Sequence, residues 1–333
     1  MRALIAVVVA SVVVLFVPRA GAQGADEGGS SVPFAPMAHV ERAGSGPTEL
    51  VLIPDLWCDW SVWAGFMDRN EERYSMAAVT LPGMCGTAPP ATPQERVLVD
   101  NDRIMTPWLD NAVLAVLDAI EQEGLERPVI VGHGMGALIG FRLSSEYPGR
   151  IGGHVAVDGA PSTLMYTSPL PIAERTEIVR GRLLRTFAGL DGDAWQARVR
   201  DQILPGVTDE SRANAILERS ARTNFEVGSR YFIEYYGSDE TDSVRGSFVP
   251  TLVIAAAGDI PVRRVRGLDR LRRTWYSHLD GMRDLELVFL PASRHFVMDD
   301  APDRLDELVA SFAERVSDAD KSRASRSGDA RGD

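Results

Sequence analysis

The chain has 333 residues, of which 45% are hydrophobic and 25% charged, a composition that is ordinary for a globular protein and excludes wholesale disorder. Its 35 basic and 47 acidic residues give a formal net charge of −12, which argues against a nucleic-acid partner because phosphate binding needs a basic surface. A chain of this length can bury enough surface to fold without a metal or a disulfide scaffold.

The first segment predicts a secretory signal peptide. Met1-Arg2 supplies a positive charge, Ala3 to Val17 is apolar apart from Ser11, and Ala20-Gly21-Ala22 is a small-residue cleavage site. The apolar run is shorter than the roughly 20 residues that a membrane span needs. We therefore expect cleavage near Ala22, a secreted or periplasmic protein and no integral membrane segment, with an uncleaved anchor as the alternative.

Composition divides the rest of the chain. Residues 23–44 begin with a stretch rich in Gly, Ser, Ala and Pro and are predicted to be a linker. Residues 45–316 carry the regular apolar patterns of a folded domain, within which about 161–246 is helical in character and predicts an inserted cap. Residues 317–333 are mostly Ser, Asp, Arg and Ala and predict a disordered, solvated tail.

Short apolar strands alternate with amphipathic helices along the domain. A helix is predicted to begin at Thr106-Pro107 and to stop at Gly124, and a last one begins near Pro302. The predicted strands are 49–54, 76–81, 128–131, 154–157, 251–255 and 285–290. Strands separated by helices indicate an α/β fold with a mostly parallel central sheet flanked by helices.

The most informative motif is Gly132-His133-Gly134-Met135-Gly136, which follows a strand and opens a helix. A strand, a sharp glycine-rich turn and a helix form the context of a nucleophile elbow. Here the chain resembles the α/β-hydrolase superfamily, whose elbow reads Gly-x-Ser-x-Gly. The resemblance extends over nearly all of residues 45–316 and implies an α/β-hydrolase fold and esterase-like ancestry.

The resemblance implies roles for several residues. Ile53-Pro54-Asp55-Leu56 stands at the oxyanion loop, where the family commonly has His-Gly before an apolar residue, so the backbone N–H groups of Leu56 and Met135 would form the oxyanion hole. Asp259 matches the catalytic acid, and His295, which lies between the last strand and the final helix, matches the catalytic histidine. Asp158 is the reserve acid. His133 is expected to have a structural role.

The chain departs from the family at residue 134, where glycine replaces the nucleophile and excludes an acyl-enzyme at that position. Three readings stay open. The protein is a pseudo-hydrolase that binds a ligand or partner without turnover; or His295 and Asp259 activate a water in place of the missing side chain; or Gly134 is a variant of an ordinary serine esterase. In each case the expected partner is a small apolar, ester-like molecule, while the oligomeric state stays open.

Cys58 and Cys85 are the two cysteines, and in an exported protein they can form a disulfide. The resemblance places both near the carboxyl edge of the sheet, which favours a mutual disulfide over a relocated thiol nucleophile. The five histidines show no metal-ligand spacing, and no phosphate-binding or dinucleotide motif is present. The sequence therefore predicts neither a metal nor a cofactor.

Overall fold

The computed structural model describes residues 35–89, 99–100, 103–162, 169–187, 190–258 and 265–329. The predicted signal peptide, residues 1–22, lies outside the described residues. None of the described helices is long and apolar enough to cross a membrane.

The strands follow the predicted apolar segments closely. They are β1 (His39–Ala43), β2 (Thr48–Ile53), β3 (Tyr74–Thr80), β4 (Val99–Asp100), β5 (Arg103–Ile104), β6 (Val129–His133), β7 (Gly153–Val157), β8 (Thr251–Ala256) and β9 (Leu285–Leu290). Within the described residues the main sheet has the order β1-β3-β2-β6-β7-β8-β9, and β4 pairs with β5 in a separate ribbon. All neighbours in the main sheet are parallel except β1 and β3.

The strand order places the site. The chain moves from β2 outward to β3 and then returns to β6 on the other side of β2, so the direction of winding reverses between β2 and β6. Ligands of open α/β sheets bind at such a switch point, outside the carboxyl ends of the strands. Asp55 follows β2 and Gly134 follows β6, so both lie at this point.

The helices flank the sheet and fill the long connection between β7 and β8. They are α1 (Ala64–Asn70), α2 (Pro107–Gln122), α3 (Met135–Glu146), α4 (Ile172–Ile178), α5 (Leu184–Phe187), α6 (Gly192–Ile203), α7 (Glu210–Ser220), α8 (Phe225–Gly237), α9 (Thr241–Val244), α10 (Val265–His278), α11 (Val297–Asp300) and α12 (Pro302–Asp329). Helix α2 begins after Thr106 and is followed at its end by Gly124, which has φ +68°, as the sequence predicted.

Two predicted boundaries are wrong. Strand β1 lies inside the predicted linker 23–44 and pairs antiparallel with β3, from His39 opposite Thr80 to Ala43 opposite Met76. Its polar side chains suit an edge strand, and they conceal it from an apolar-pattern search. The predicted tail is helical as far as Asp329, because no proline and no glycine before Gly328 interrupts α12.

Helices α4 to α9, here called the insertion, contact the loop that follows β2. The Trp57 indole Nε1 donates a hydrogen bond to Gly228 O at 3.0 Å, and its ring stacks on Phe232 with centroids 5.6 Å apart. The Trp195 ring meets Trp57 edge-on at 5.0 Å. These aromatic side chains therefore pack the insertion onto the β2 loop.

His154 is a fully buried histidine of β7 that packs against α3. Its ring meets Phe141 edge-on at 4.6 Å, and neither of its ring nitrogens has a hydrogen-bond partner among the described residues. A Cβ on Gly140 would overlap the imidazole, so Gly140 provides the space for it. Burial lowers the pKa of His154 to about 3, and the ring is neutral in the folded protein.

We expect His154 to weaken the fold in acid. Unfolded histidine takes up a proton near pH 6.5, whereas the folded ring resists it down to about pH 3, so stability falls as the pH drops through this window. His154→Leu removes this proton uptake and flattens the acid limb of the stability curve by up to about 1.4 kcal/mol per pH unit. Urea unfolding between pH 4 and 7 measures it, with exposed His39→Ala as the control. An unchanged acid limb in His154→Leu contradicts the assignment.

Candidate active site

The predicted sharp turn between β6 and α3 is present, with Gly134 at its apex. Gly134 has φ +51° and ψ −111° and lies between β6 and α3. Its N–H donates to Val157 O at 3.0 Å, and its carbonyl accepts from Ala137 N at 3.1 Å. This left-handed backbone is costly for residues with a side chain and is readily adopted by glycine.

The carboxylate of Asp55 occupies the space that a side chain at residue 134 would take. A Cβ built on Gly134 would overlap the Asp55 carboxyl group. Oδ1 of Asp55 accepts a hydrogen bond from Met135 N at 2.6 Å, and Oδ2 lies 2.9 Å from His295 Nε2. Asp55 is 6% exposed. The space beside Gly134 is therefore filled by a carboxylate from the neighbouring strand end.

His295 bridges two carboxylates. Its Nδ1 lies 2.7 Å from Asp158 Oδ2, and Oδ1 of Asp158 accepts from Ala256 N at 2.9 Å. Asp158 has φ +43°, a strained conformation of the kind that concentrates at functional sites. Asp259, the acid that the resemblance implied, lies outside the described residues. Among the described residues, the reserve candidate Asp158 is the acid on His295 Nδ1.

The charges of Asp55 and His295 stabilise one another. Burial favours the neutral form of Asp55, but the hydrogen bond and charge of His295 outweigh it and hold the pKa of Asp55 below its usual value. Burial also opposes the charge on His295, but the two carboxylates raise its pKa to about 10. At neutral pH the Asp55 carboxylate therefore faces a protonated His295.

His133 supports the histidine turn. Its Nε2 lies 2.9 Å from the His295 carbonyl oxygen, and the two rings are 4.3 Å apart between centroids. Burial is the main reason why the pKa of His133 falls to about 4, so its ring is neutral. A structural role for this residue was expected from the sequence.

A profile of the alpha/beta hydrolase family matches residues 50–308. This chain belongs to the alpha/beta hydrolase family. The match extends from β2 into α12 and therefore includes the elbow, the insertion and the histidine turn.

Solved structures similar to this family member include three enzymes. A hydrolase from Pseudomonas aeruginosa PA01 has 18% identity and a TM-score of 0.61, with 82% of this chain and 92% of that chain covered. An enol-lactonase from Burkholderia xenovorans LB400 has 18% identity and a TM-score of 0.59, with coverage of 84% and 99%. The epoxide hydrolase CorEH has 16% identity and a TM-score of 0.60, with coverage of 84% and 95%. At these identities the similarity shows the fold alone.

The oxyanion hole of this alpha/beta hydrolase is altered. Met135, one of its two expected donors, gives its N–H to Asp55. Leu56, the other, directly follows Asp55 in the loop after β2, and its side chain is buried. An oxyanion approaching the Met135 N–H group would therefore meet the negative charge of Asp55.

The expected disulfide is absent in the structure, where Cys58 and Cys85 are both buried free thiols. Cys85 Sγ donates to the Trp57 carbonyl at 3.3 Å, which directs the thiol to the backbone. Burial raises the pKa of Cys85 to about 12 and that of Cys58 well above its usual value. Neither thiol is therefore suited to act as a nucleophile.

Asp55 is the residue of this site that the sequence reasoning did not single out. Its signal was present, since the family commonly has glycine at its place in the oxyanion loop. Asp55 and Gly134 both differ from the family pattern, and the two differences fit each other. The Asp55 carboxylate lies in the space that glycine at residue 134 leaves open. The two residues lie next to each other because β2 pairs with β6, which the local sequence around either residue does not reveal.

We expect that Gly134→Ser alone does not restore serine-hydrolase chemistry, because the new side chain collides with Asp55. The strained backbone costs roughly 1–2 kcal/mol and the overlap roughly 1–3 kcal/mol more. The double variant Gly134→Ser with Asp55→Gly removes the collision and frees the Met135 N–H group. We expect the double variant alone to react with a fluorophosphonate probe.

Labelling of the purified chains, followed by mass spectrometry of the modified peptide, checks this. His295→Ala in the double-variant background is the control, and it should abolish labelling. Equal labelling of the single and the double variant would show that Asp55 does not occupy the elbow.

Proposed function

We propose that this protein is a hydrolase that opens small apolar epoxides by nucleophilic attack of the Asp55 carboxylate. The observation that carries the proposal is the position of that carboxylate, which fills the place of the elbow side chain and touches both Met135 N and His295 Nε2. The similarity to an epoxide hydrolase structure is consistent with it, as fold-level analogy.

The occupied oxyanion hole favours an epoxide over the ester-like substrate expected from the sequence. Attack on an ester places negative charge on the substrate's carbonyl oxygen, which needs the Met135 N–H group that Asp55 already uses. Attack on a saturated ring carbon places the charge on the departing ring oxygen instead. Such a reaction needs a carboxylate nucleophile and a proton donor, and it does not need an empty oxyanion hole.

Tyr235 and Tyr236 of α8 supply the proton donors. Burial, followed by the charge of Asp55, raises the pKa of both hydroxyl groups, that of Tyr236 to about 12. Both therefore stay protonated at neutral pH and can donate to a departing oxygen. Gln202 Nε2 donates to the Tyr236 hydroxyl oxygen at 3.1 Å, which leaves the hydroxyl proton available for a substrate.

The reaction balances in two steps. A carboxylate oxygen of Asp55 bonds to a ring carbon, the ring carbon–oxygen bond breaks, and the oxygen takes a proton from a tyrosine hydroxyl. The His295 imidazolium, no longer paired with a charged Asp55, then gives its proton to the tyrosinate. Water attacks the Asp55 ester carbonyl while the now neutral imidazole of His295 takes a proton from it. The ester bond breaks, the diol leaves with the proton of the new Asp55 carboxyl group, and Asp55 and His295 return to their resting charges. In this second step the oxyanion forms on the Asp55 ester itself, where the Met135 N–H group already donates.

A single-turnover experiment in water enriched in oxygen-18 tests the proposal. With the full chain in excess over styrene oxide, the first diol should contain unlabelled oxygen from Asp55, and the label should enter the Asp55 peptide. Asp55→Asn should reduce turnover by a factor on the order of a million, as losing a nucleophile does. Asp68→Asn, on the exposed face of α1, is the matched control and should keep full activity.

Label found in the first diol, or turnover retained by Asp55→Asn, would overturn the proposal. Absence of turnover across aryl and alkyl epoxides would support the second candidate, a pseudo-hydrolase that binds a ligand without converting it. One observation favours that candidate: both carboxylate oxygens of Asp55 already have partners, so the resting site is satisfied internally.

We further propose that the protein acts outside the cytoplasm after removal of residues 1–22. The positive start, the apolar run and the Ala20-Gly21-Ala22 motif support export. N-terminal sequencing of the protein from a secreting host should begin at Gln23. An intact Met1 would contradict the proposal.

A further inference from the structure

We propose that Asp55, His133 and His295 together form a binding site for one divalent transition-metal ion of the zinc class. One ligand atom from each of the three side chains lies within 4.8 Å of the other two. The three residues follow β2, end β6 and precede α11, so three separate segments meet at the switch point of the sheet.

His133 supplies the observation that points to a ligand. Its Nε2 contacts the His295 carbonyl oxygen, which can only accept, so Nε2 carries the proton and Nδ1 carries a lone pair. The side chain is fully buried, and Nδ1 has no hydrogen-bond partner among the described residues. Buried polar atoms without a partner are uncommon, and a metal ion satisfies such a lone pair.

The neighbours of both histidines match those of metal ligands. A metal-bound histidine almost always donates its other N–H group to a carboxylate or a backbone carbonyl, which fixes its tautomer and orientation. Asp158 Oδ2 lies 2.7 Å from Nδ1 of His295, and a backbone carbonyl holds Nε2 of His133. Nδ1 of His133 is thereby left with a free lone pair, whereas Nε2 of His295 would give up its proton and its contact with Asp55 Oδ2 to bind the ion.

Distances and donor types favour zinc over magnesium or calcium. Oδ2 of Asp55 is 2.9 Å from His295 Nε2. Two ligands of a tetrahedral zinc ion stand about 3.3 Å apart at bond lengths near 2.0 Å, so this one pair of ligand atoms needs only a small widening. Two imidazole nitrogens and one carboxylate suit zinc, cobalt and similar ions, whereas magnesium and calcium prefer oxygen donors.

The ion would compete with the chemistry proposed above. A metal-bound Asp55 carboxylate cannot attack a ring carbon, and a metal-bound His295 Nε2 cannot take a proton from water. Zinc is therefore expected to be a reversible inhibitor. This consequence rests on the proposed function, whereas metal binding itself does not.

Titration of the chelator-treated full chain tests the site. Bound cobalt should give a visible absorption band as intense as tetrahedral coordination produces. Zinc should bind at one ion per chain, as measured by calorimetry, and should displace the cobalt. Zinc should also raise the unfolding temperature of the wild-type chain, because it binds the folded state. Asp55→Asn and His133→Gln should each weaken zinc binding at least tenfold, and Asp158→Asn should weaken it about 10–100-fold.

His39→Ala is the control for adventitious binding, since His39 is an exposed histidine paired with Glu41. It should bind zinc as the wild type does. Thermal unfolding of each metal-free variant shows whether it folds. If His133→Gln does not fold, the zinc affinity of Asp55→Asn decides whether the site exists. Absence of a cobalt band, or zinc affinity unchanged in Asp55→Asn, would overturn the site.

The activity arm separates the two proposals. Inhibition of epoxide opening by zinc in the wild type, reversed by a chelator, supports both. Zinc binding that needs all three residues but leaves epoxide turnover unchanged supports the metal site and contradicts the nucleophilic role of Asp55.

Discussion

The site depends on one contact, that of the Asp55 carboxylate with the backbone at the elbow. Oδ1 of Asp55 accepts the Met135 N–H bond at the start of α3, in the space that a side chain at residue 134 would need. This contact makes glycine the residue that fits at the elbow, and it removes a donor from the oxyanion hole. It also brings Oδ2 to His295. The glycine at residue 134 and the carboxylate of Asp55 thus fit each other in one shared space.

Burying two carboxylates beside one imidazolium is costly unless each charge is met by a donor. Asp55 has the Met135 N–H group and Asp158 has the Ala256 N–H group, while His295 lies between the two acids. The backbone donors belong to the first turn of α3 and to the end of β8, which are fixed by the core. A preformed electrostatic arrangement of this kind needs little reorganisation when charge moves during a reaction.

The sequence predicted what depends on local pattern and missed what depends on neighbours. The buried strands and the elbow turn were predictable from their apolar runs and glycine spacing. Strand β1 was missed because an edge strand tolerates polar side chains, and the tail was misjudged because its polar composition hides the lack of any helix-breaking residue before Gly328. The role of Asp55 could not be read from residues 53–56 alone, since it arises only when β2 lies beside β6.

The insertion is tied to the loop that carries Asp55. Two residues after Asp55, Trp57 adopts φ +63° and is tied to α8 through its indole N–H group. Asp59 further along the loop accepts from Arg219 Nε of α7 at 2.7 Å. Helix α8 thus holds the loop that carries the carboxylate and also bears Tyr235 and Tyr236. A movement of the insertion would therefore shift the loop after β2 and the two tyrosines together.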